Sequence, residues 1–539
     1  MKLNRIFSVV LATLALAACS DIDNIVPESG TMLASQVQET NIIAPSRAEA
    51  SFAGMFSSIG YPAKMYSTPD DWQFLMIMFC NDLEGADALI ADSNFNWFSV
   101  CGELSSRNAN YRNPYIRYRA PYNMIANANT FISGYPEDVT DDHSLNMIAQ
   151  AKCLRAWSYL NLAPMFQFNY QIAADKPCVP IATPETEDFT NNPRASVKEV
   201  YDFILSDLNA AIEVLERTSE KRTSKMNIDA NVAHGLRARA YLDMGEWSSA
   251  LADAQAAANG YTVASREDVS KPAFYDIQSE ANWIWGYDMT SSAALNNRDA
   301  TTSSWLRSFS AWGYAAACQV YTCINNMLWD MIPSTDIRKQ WWVDEDLSST
   351  IADQLEWPGL GPVAFADDGG EAKLPFVPYT NVKFGCFTIG TTANDEDMPL
   401  MRVEEMILIQ AECYARMNQN SQAIAKLKEL TDKRDTNYDV NGRNLSLLDE
   451  IWFQRRVELW GEGFFVPDAR RLNKPVVRFH DESTNFSPAF RFNLAADDPW
   501  ALMRFPQGEM NTNFAIVDNE GGHQPVTDEG KSLRDGVTD

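Results

Sequence analysis

The sequence predicts a mostly α-helical protein in which helical hairpins form a frame and a large loop-rich insertion packs on it. Three observations carry this reading. A capping signal at Ser196 opens a long stripe of apolar residues at helical spacing. A small Ala-x-x-Tyr pattern recurs at Ala156, Ala238 and Ala411. The stretch from about 261 to 397 loses helical periodicity while holding 8 of the 15 tryptophans.

In chain order, the first segment is an address. Lys2 and Arg5 precede an apolar run of 13 residues from Ile6 to Ala18, and Leu16-Ala17-Ala18-Cys19 ends it. A charged start, a short apolar middle and small residues at the end make a secretory signal. The run is too short to cross a ~30 Å hydrocarbon layer comfortably. It resembles a bacterial lipoprotein signal, which implies that Cys19 is lipidated and becomes the new N-terminus. The bland alternative is an ordinary secretory signal beside a chance cysteine. In the lipoprotein reading residues 1–18 are removed and the rest works outside the cytoplasm. Acyl chains alone then hold it to the membrane, and two or more of them make the anchoring stable. Ser20-Asp21-Ile22-Asp23 resembles an acidic tag that sends lipoproteins to the outer cell surface.

Residues 19–48 are polar, with Pro27, Gly30 and Pro45, and read as a tether. Residues 49–539 read as one domain. The whole chain carries a net charge of −28, and loss of Lys2 and Arg5 makes the mature chain more acidic still. Such a chain repels nucleic acid phosphates and anionic lipid headgroups. Eight further cysteines show no CxxC and no metal-ligand spacing. Cys153 and Cys413 fall in apolar helical stretches, where a thiol acts as a small buried hydrophobe. Few or no disulfides are expected.

Helical repeats are expected over about 100–260 and 398–435. Ser196-Val197-Lys198-Glu199 is a capping box, followed by Val200, Ile204, Leu208, Ile212 and Leu215 on one face. Pro177, Pro180, Pro184 and Pro193 mark an extended loop before it. Arg155-Ala156-Trp157-Ser158-Tyr159-Leu160 matches Arg237-Ala238-Arg239-Ala240-Tyr241-Leu242, and Ala411 and Tyr414 repeat the step. A turn residue follows in two of them (Gly245, Asn418), then Ala250 and Ala423. Small residues let two antiparallel helices approach while the tyrosine fills the gap beside the turn. These are tetratricopeptide-like hairpins. Their uneven spacing rules out a continuous solenoid.

Two sets of residues invite a functional reading. Arg455, Arg456, Glu458, Glu462, Asp468 and Arg471 are dense in charge. Bidentate Arg–carboxylate pairs are rigid and directional, and buried ones specify packing, so this set reads as structural. The aromatics are the sharper lead. Asn94-Phe95-Asn96-Trp97-Phe98 puts amides beside rings in a non-helical stretch, and Asp71-Trp72 follows Pro69. Ser310-Ala311-Trp312-Gly313-Tyr314 has a glycine between two rings, and Trp305 precedes it. A flat ring covers the apolar face of a sugar while Asn and Asp read its hydroxyls. For any single tryptophan, packing is the competing role. Trp157, Trp247, Trp452 and Trp460 lie on helical patterns and are assigned to packing.

Enzyme readings find no support. His143, His234, His480 and His523 are scattered, without HExxH. GxSxG and phosphate loops are absent. No cofactor, metal site or catalytic residue is predicted.

Several blocks together resemble the SusD/RagB family of cell-surface nutrient-binding lipoproteins. They are Tyr111-Arg112-Asn113-Pro114-Tyr115, Ile125-Ala126-Asn127-Ala128-Asn129, Ala151 to Leu160, and Phe505-Pro506-Gln507-Gly508-Glu509. The strongest is Arg455-Arg456-Val457-Glu458-Leu459-Trp460-Gly461-Glu462-Gly463 with Asp468 and Arg471. Gln454 and Phe465 depart from the family pattern. The resemblance implies a single domain of four helical repeat pairs with a loop-rich part lying across it. It implies an outer-membrane location facing the exterior, a SusC-like TonB-dependent transporter as partner, and delivery of an oligosaccharide ligand. It favours Trp97, Trp305, Trp312 and Tyr314, with Asn94, Asn96 and Trp72 nearby, as the ligand-binding set. Peptide capture on the same fold and a scaffold or adhesin role are the alternatives.

Overall fold

The computed structural model describes residues 34–60, 65–66, 68, 70–90, 97–290, 306, 321–354, 363–365, 371–373, 376–387, 395–480 and 483–539. Cys19 lies outside them. The expected tether is corrected at its far end, because two helices, α1 (Ala34–Ile43) and α2 (Pro45–Ser57), begin there. Their polar side chains dock on the frame: Gln38 Nε2 donates to the Ser133 carbonyl at 3.0 Å, and Asn41 Nδ2 to that of Gly134 at 2.8 Å. Ala48, Met55 and Phe56 are buried.

The frame starts from α3 (Gln73–Leu83), buried at every position, and β1 (Ala88–Ile90). Then come α4 (Arg112–Ser133), α5 (Asp142–Phe166), α6 (Val197–Arg217), α7 (Ala230–Met244) and α8 (Trp247–Ala258). Each of these five helices packs on the next. The Ser196 capping box forms as predicted: Ser196 Oγ accepts from Glu199 N at 3.2 Å, and Glu199 Oε2 from Ser196 N at 2.7 Å. Val200, Ile204, Leu208, Ile212 and Leu215 are all buried behind it. Each such side chain contributes about 1.5–3 kcal/mol when fully removed from water.

The α7–α8 hairpin follows the small-residue rule. Ala233, Ala238, Ala250, Ala254 and Ala257 are fully enclosed. Gly245 ends α7 with φ +78°, a left-handed cap that glycine adopts without penalty.

The next frame helix does not follow in sequence. α9 (Val403–Arg416) packs against α8, though the insertion separates them. α10 (Asn420–Thr431) pairs with α9, and α11 (Leu447–Glu458), α12 (Phe465–Leu472) and α13 (Gln507–Thr512) follow. Between α8 and α9 lie β2 (Trp283–Tyr287), β3 (Thr322–Ile324), β4 (Val363–Phe365), β5 (Glu371–Lys373) and β6 (Met398–Arg402). These strands pair antiparallel: β1 with β3, β2 with β6, β4 with β5. The β2–β6 pair clasps the insertion at its base, with Trp283 opposite Arg402 and Tyr287 opposite Met398.

Aromatic richness in the insertion reflects packing at four of its eight tryptophans. Trp283, Trp285, Trp341 and Trp342 are buried. Trp285 meets Trp157 edge-on at 4.8 Å, and Trp342 meets Trp460 at 5.3 Å. Trp157 also stacks on Phe74 at 4.2 Å.

An ion network joins the insertion to the frame. Glu458 accepts from Arg434 at 3.0 Å, Arg402 at 3.2 Å and Arg338 at 3.3 Å. Glu462 accepts from Arg402 and Lys383 at 2.8 Å each. Glu404 pairs with Arg402 at 3.0 Å, and Asp336 with Arg338 at 2.6 Å. Four cations face four anions, all buried, so the cluster is neutral as a whole. Burial alone would push the Glu458 carboxyl up. The guanidiniums of Arg434 and Arg402 overrule it and hold that carboxyl well below the usual range. The remaining charged residues of the Arg-Arg block are paired too: Arg455 with Asp468, Arg456 with Asp87, Arg471 with Glu412 and Asp468. All hold packing geometry, as the sequence predicts.

Removing one partner of a buried pair is costly because the remaining charges lose their neutralisation. Glu458→Gln keeps the shape and removes one negative charge among three arginines. It is expected to destabilise the protein by about 3–5 kcal/mol, read as a lower urea midpoint. An unchanged midpoint contradicts the role given to Glu458. The depressed folded pKa also fixes a sign. Stabilisation from ionised Glu458 is fully present above the ordinary glutamate range and is lost as pH falls through that range toward the folded value. Stability should therefore fall on acidification in the wild type and fall less in the variant.

Candidate functional site

The N-terminus of α4 builds an aromatic platform. Tyr111 is extended, with φ −88° and ψ 156°, and α4 starts at the next residue. This places Arg112 between two rings. Its guanidinium carbon lies 4.9 Å from the centre of Tyr66 and 4.9 Å from that of Trp97. Cations over ring faces are attracted by the ring quadrupole, by about 0.5–1 kcal/mol at exposed sites. Arg112 also donates to Thr68 and to the carboxylate of Asp70. The Tyr66 backbone N–H donates to Asp71 Oδ2 at 2.9 Å, which fixes the turn that carries the ring. Tyr115, one helical turn beyond Tyr111, meets Tyr66 edge-on at 5.9 Å.

The platform is open to solvent. Tyr66 is 44% exposed and Tyr111 48%, while Trp97 and Tyr115 are half-buried. Beneath it Phe98 is buried and meets Phe79 of α3 at 5.0 Å. Burial pushes the Asp70 carboxyl up, and the neighbouring Arg112 pulls the other way. The site thus offers ring faces, a guanidinium and carboxylate oxygens within one small area. That inventory can bind a polar ring compound. It supplies no nucleophile–base pair.

The ligand-binding residues predicted from sequence fare differently. Trp97 stands in the platform. Trp72 is corrected: it is 0% exposed, immediately before α3, and cannot present its indole to a ligand. Its neighbour Asp71, also buried, serves the Tyr66 turn instead. Asn94, Asn96, Trp305, Trp312 and Tyr314 lie outside the described residues. Sequence reasoning missed Tyr66, Asp70, Arg112 and Tyr115 as site residues. A tyrosine four residues before an Asp-Asp pair in a proline-containing stretch, and a Tyr-Arg step opening a helix, were the available signals.

The scattered histidines do not assemble. His234 sits between Asp253 at 2.7 Å and Glu216 at 2.9 Å on the α6–α7–α8 layer. His143 lies near Glu220 and Glu49. Among the described residues, no group of three or more His, Cys, Asp or Glu could hold a metal ion. Cys80, Cys101, Cys153, Cys178, Cys323 and Cys413 are free thiols, all buried. No helix of the described residues is long and apolar enough to cross a membrane.

Comparisons with known proteins agree with this architecture. Residues 59–242 match a family model described as starch-binding, associating with the outer membrane. Residues 379–521 match the model described as the SusD family. A SusD-like protein of Formosa agariphila is 22% identical over 394 residues, covering 67% of this chain and 73% of its own. A SusD-like carbohydrate binding protein of Bacteroides vulgatus superposes with a TM-score of 0.70 at 23% identity, over 89% of this chain and 98% of its own. A laminarin binding SusD-like protein superposes with a TM-score of 0.58 at 17% identity, over 88% and 99%. At these identities the structural likeness is one of fold.

Two tryptophans near the platform should separate on mutation. Trp72→Ala removes a fully enclosed indole and is expected to cost about 3–5 kcal/mol of stability. Trp97→Ala removes a half-exposed one and is expected to cost about 1 kcal/mol or less. Thermal melts of both variants check this, and equal losses contradict the assignment.

Proposed function

The chain belongs to the SusD/RagB family, and from that premise we propose that it binds glycan at the cell surface and hands it to a transporter without cleaving it. The observation that carries the reading is the platform itself, in which Tyr66 and Trp97 flank Arg112 while Asp70 and Thr68 hold the guanidinium in place. Pyranose rings have apolar C–H faces and a hydroxyl rim. Ring faces cover the former; the guanidinium and carboxylate read the latter.

Strand pairing also brings the insertion beside a residue close in sequence to the platform. Ile90, the last residue of β1, is opposite Thr322, the first of β3. Trp305, Trp312 and Tyr314 remain the insertion's proposed contribution to the site beside Trp97, as the family resemblance implies. The matched family descriptions and the carbohydrate-binding neighbours support a glycan over a peptide ligand.

The energetics suit a carrier. Covering one sugar face removes ~50–80 Å² from water, worth about 1–2 kcal/mol before ordering costs. Two or three covered sugars with a few hydrogen bonds give affinities of roughly mM to µM. Weak, reversible binding is what delivery needs. In this reading the protein is lipidated at Cys19, stands on the outer face of the outer membrane, and sits over a TonB-dependent transporter of the SusC type.

Affinity gels containing polysaccharides test the ligand. Trp97→Ala, Tyr66→Ala and Trp312→Ala should each migrate faster than wild type in the gel that retards it, with melting temperatures close to wild type. Retention unchanged in all three contradicts the site. Co-purification with a TonB-dependent transporter from detergent-extracted membranes tests the partner, and a solitary monomer counts against it.

A further inference from the structure

A groove runs along α4 away from the platform, with a volume of about 770 Å³. Its floor is a row of tyrosines on one helix face, Tyr115, Tyr118 and Tyr122. The rings of Tyr118 and Tyr122 lie 4.3 Å apart at 31°. Arg119 and Glu509 bring charges of both signs to the lining, and Phe189 stands over it, 57% exposed. The groove lining reaches Ser133, so at ~1.5 Å per helical residue it follows α4 for about 27 Å from Tyr115.

The walls are held in place without a ligand. Tyr122 Oη donates to the Pro180 carbonyl at 2.5 Å, which fixes the proline-rich loop to α4. Asn513 Nδ2 donates to the Asn192 carbonyl at 2.7 Å, and Asn192 N returns a bond to Asn513 Oδ1 at 3.1 Å. The loop that carries Phe189 is thereby tied to the end of α13. A preformed groove binds with less ordering cost than one that must assemble.

Tyr115 belongs to both surfaces: it lines the groove and packs edge-on against Tyr66 of the platform. We infer that the groove holds the continuation of a glycan chain whose first rings lie on the platform, so that the ligand is a linear oligosaccharide longer than the platform covers. This rests on the glycan reading of the platform. The groove's chemistry suits that occupant: the open Phe189 ring for a sugar face, tyrosine edges along the floor, and a guanidinium and a carboxylate for hydroxyls. Polyanions, by contrast, meet a strongly acidic protein.

Chain length is the discriminating variable. Wild type and Phe189→Ala are titrated calorimetrically with malto-, cello-, laminari- and xylo-oligosaccharides from disaccharide to octasaccharide, with Trp97→Ala alongside. Affinity in the series that binds should rise with length, and Phe189→Ala should weaken the longest members by about tenfold while leaving the shortest unchanged. Trp97→Ala should weaken all lengths. Phe189 is exposed, so its truncation leaves the fold intact, which a melt confirms. Length-independent affinity, or long chains indifferent to Phe189→Ala while Trp97→Ala abolishes binding, overturns the extension and leaves the platform standing. Failure of wild type to bind any of the four series overturns both.

Discussion

Glu458 and Glu462 hold the two halves of this protein together. Their carboxylates lie at the end of α11 and in the turn after it, deep in the interior. The cations that meet them come from elsewhere: Arg338 and Lys383 from the insertion, Arg402 from the clasp strand, Arg434 from the segment after α10. Charges removed from water must find opposite charges at good geometry, and here they do so only when the insertion and the frame are docked in one way. Burial draws the Lys383 ammonium down to about 8, against the attraction of Glu462. Apolar burial supplies cohesion along the whole frame; the ion network supplies the unique docking.

The platform inherits its order from the same arrangement. α3 carries Phe79 beneath Phe98, and its Asp82 accepts backbone N–H bonds from Gly463, the last residue of the Arg-Arg block, and from Phe465. Burial raises the Asp82 carboxyl to about 7, with those two N–H groups opposing the rise. β1 follows α3 and pairs with β3 of the insertion. Trp97 thus follows in sequence an element fixed to both halves. Arg112 completes the site from the first residue of α4, where the chain has just turned from extended to helical.

The frame was legible in the sequence because its signals are local. A capping box, a stripe at three- to four-residue spacing and alanine seams each involve residues within a few turns of one another. The Arg-Arg block was legible as structural because so many ionic groups in an apolar context can persist only as pairs. Burial of individual aromatics was not legible. Trp72 and Trp97 both sit beside Asp or Asn in non-helical stretches, yet one is enclosed and the other open, and only long-range packing decides which. Arg112 escaped notice as a site residue for a related reason. Its partners, Tyr66 and Asp70, lie more than forty positions away, and nothing local announces the encounter. The first helices were missed because α1 docks through amides, Gln38 and Asn41, and leaves little apolar pattern to read.

The seam between α8 and α9 is spatially continuous but interrupted in the chain, and the interruption opens and closes near the β2–β6 pair. The contact between those two helices is made directly, whatever the length of chain that separates them. The excursion can therefore vary in length only where it spares Arg338 and Lys383, because the interior glutamates would otherwise be left without their counter-charges.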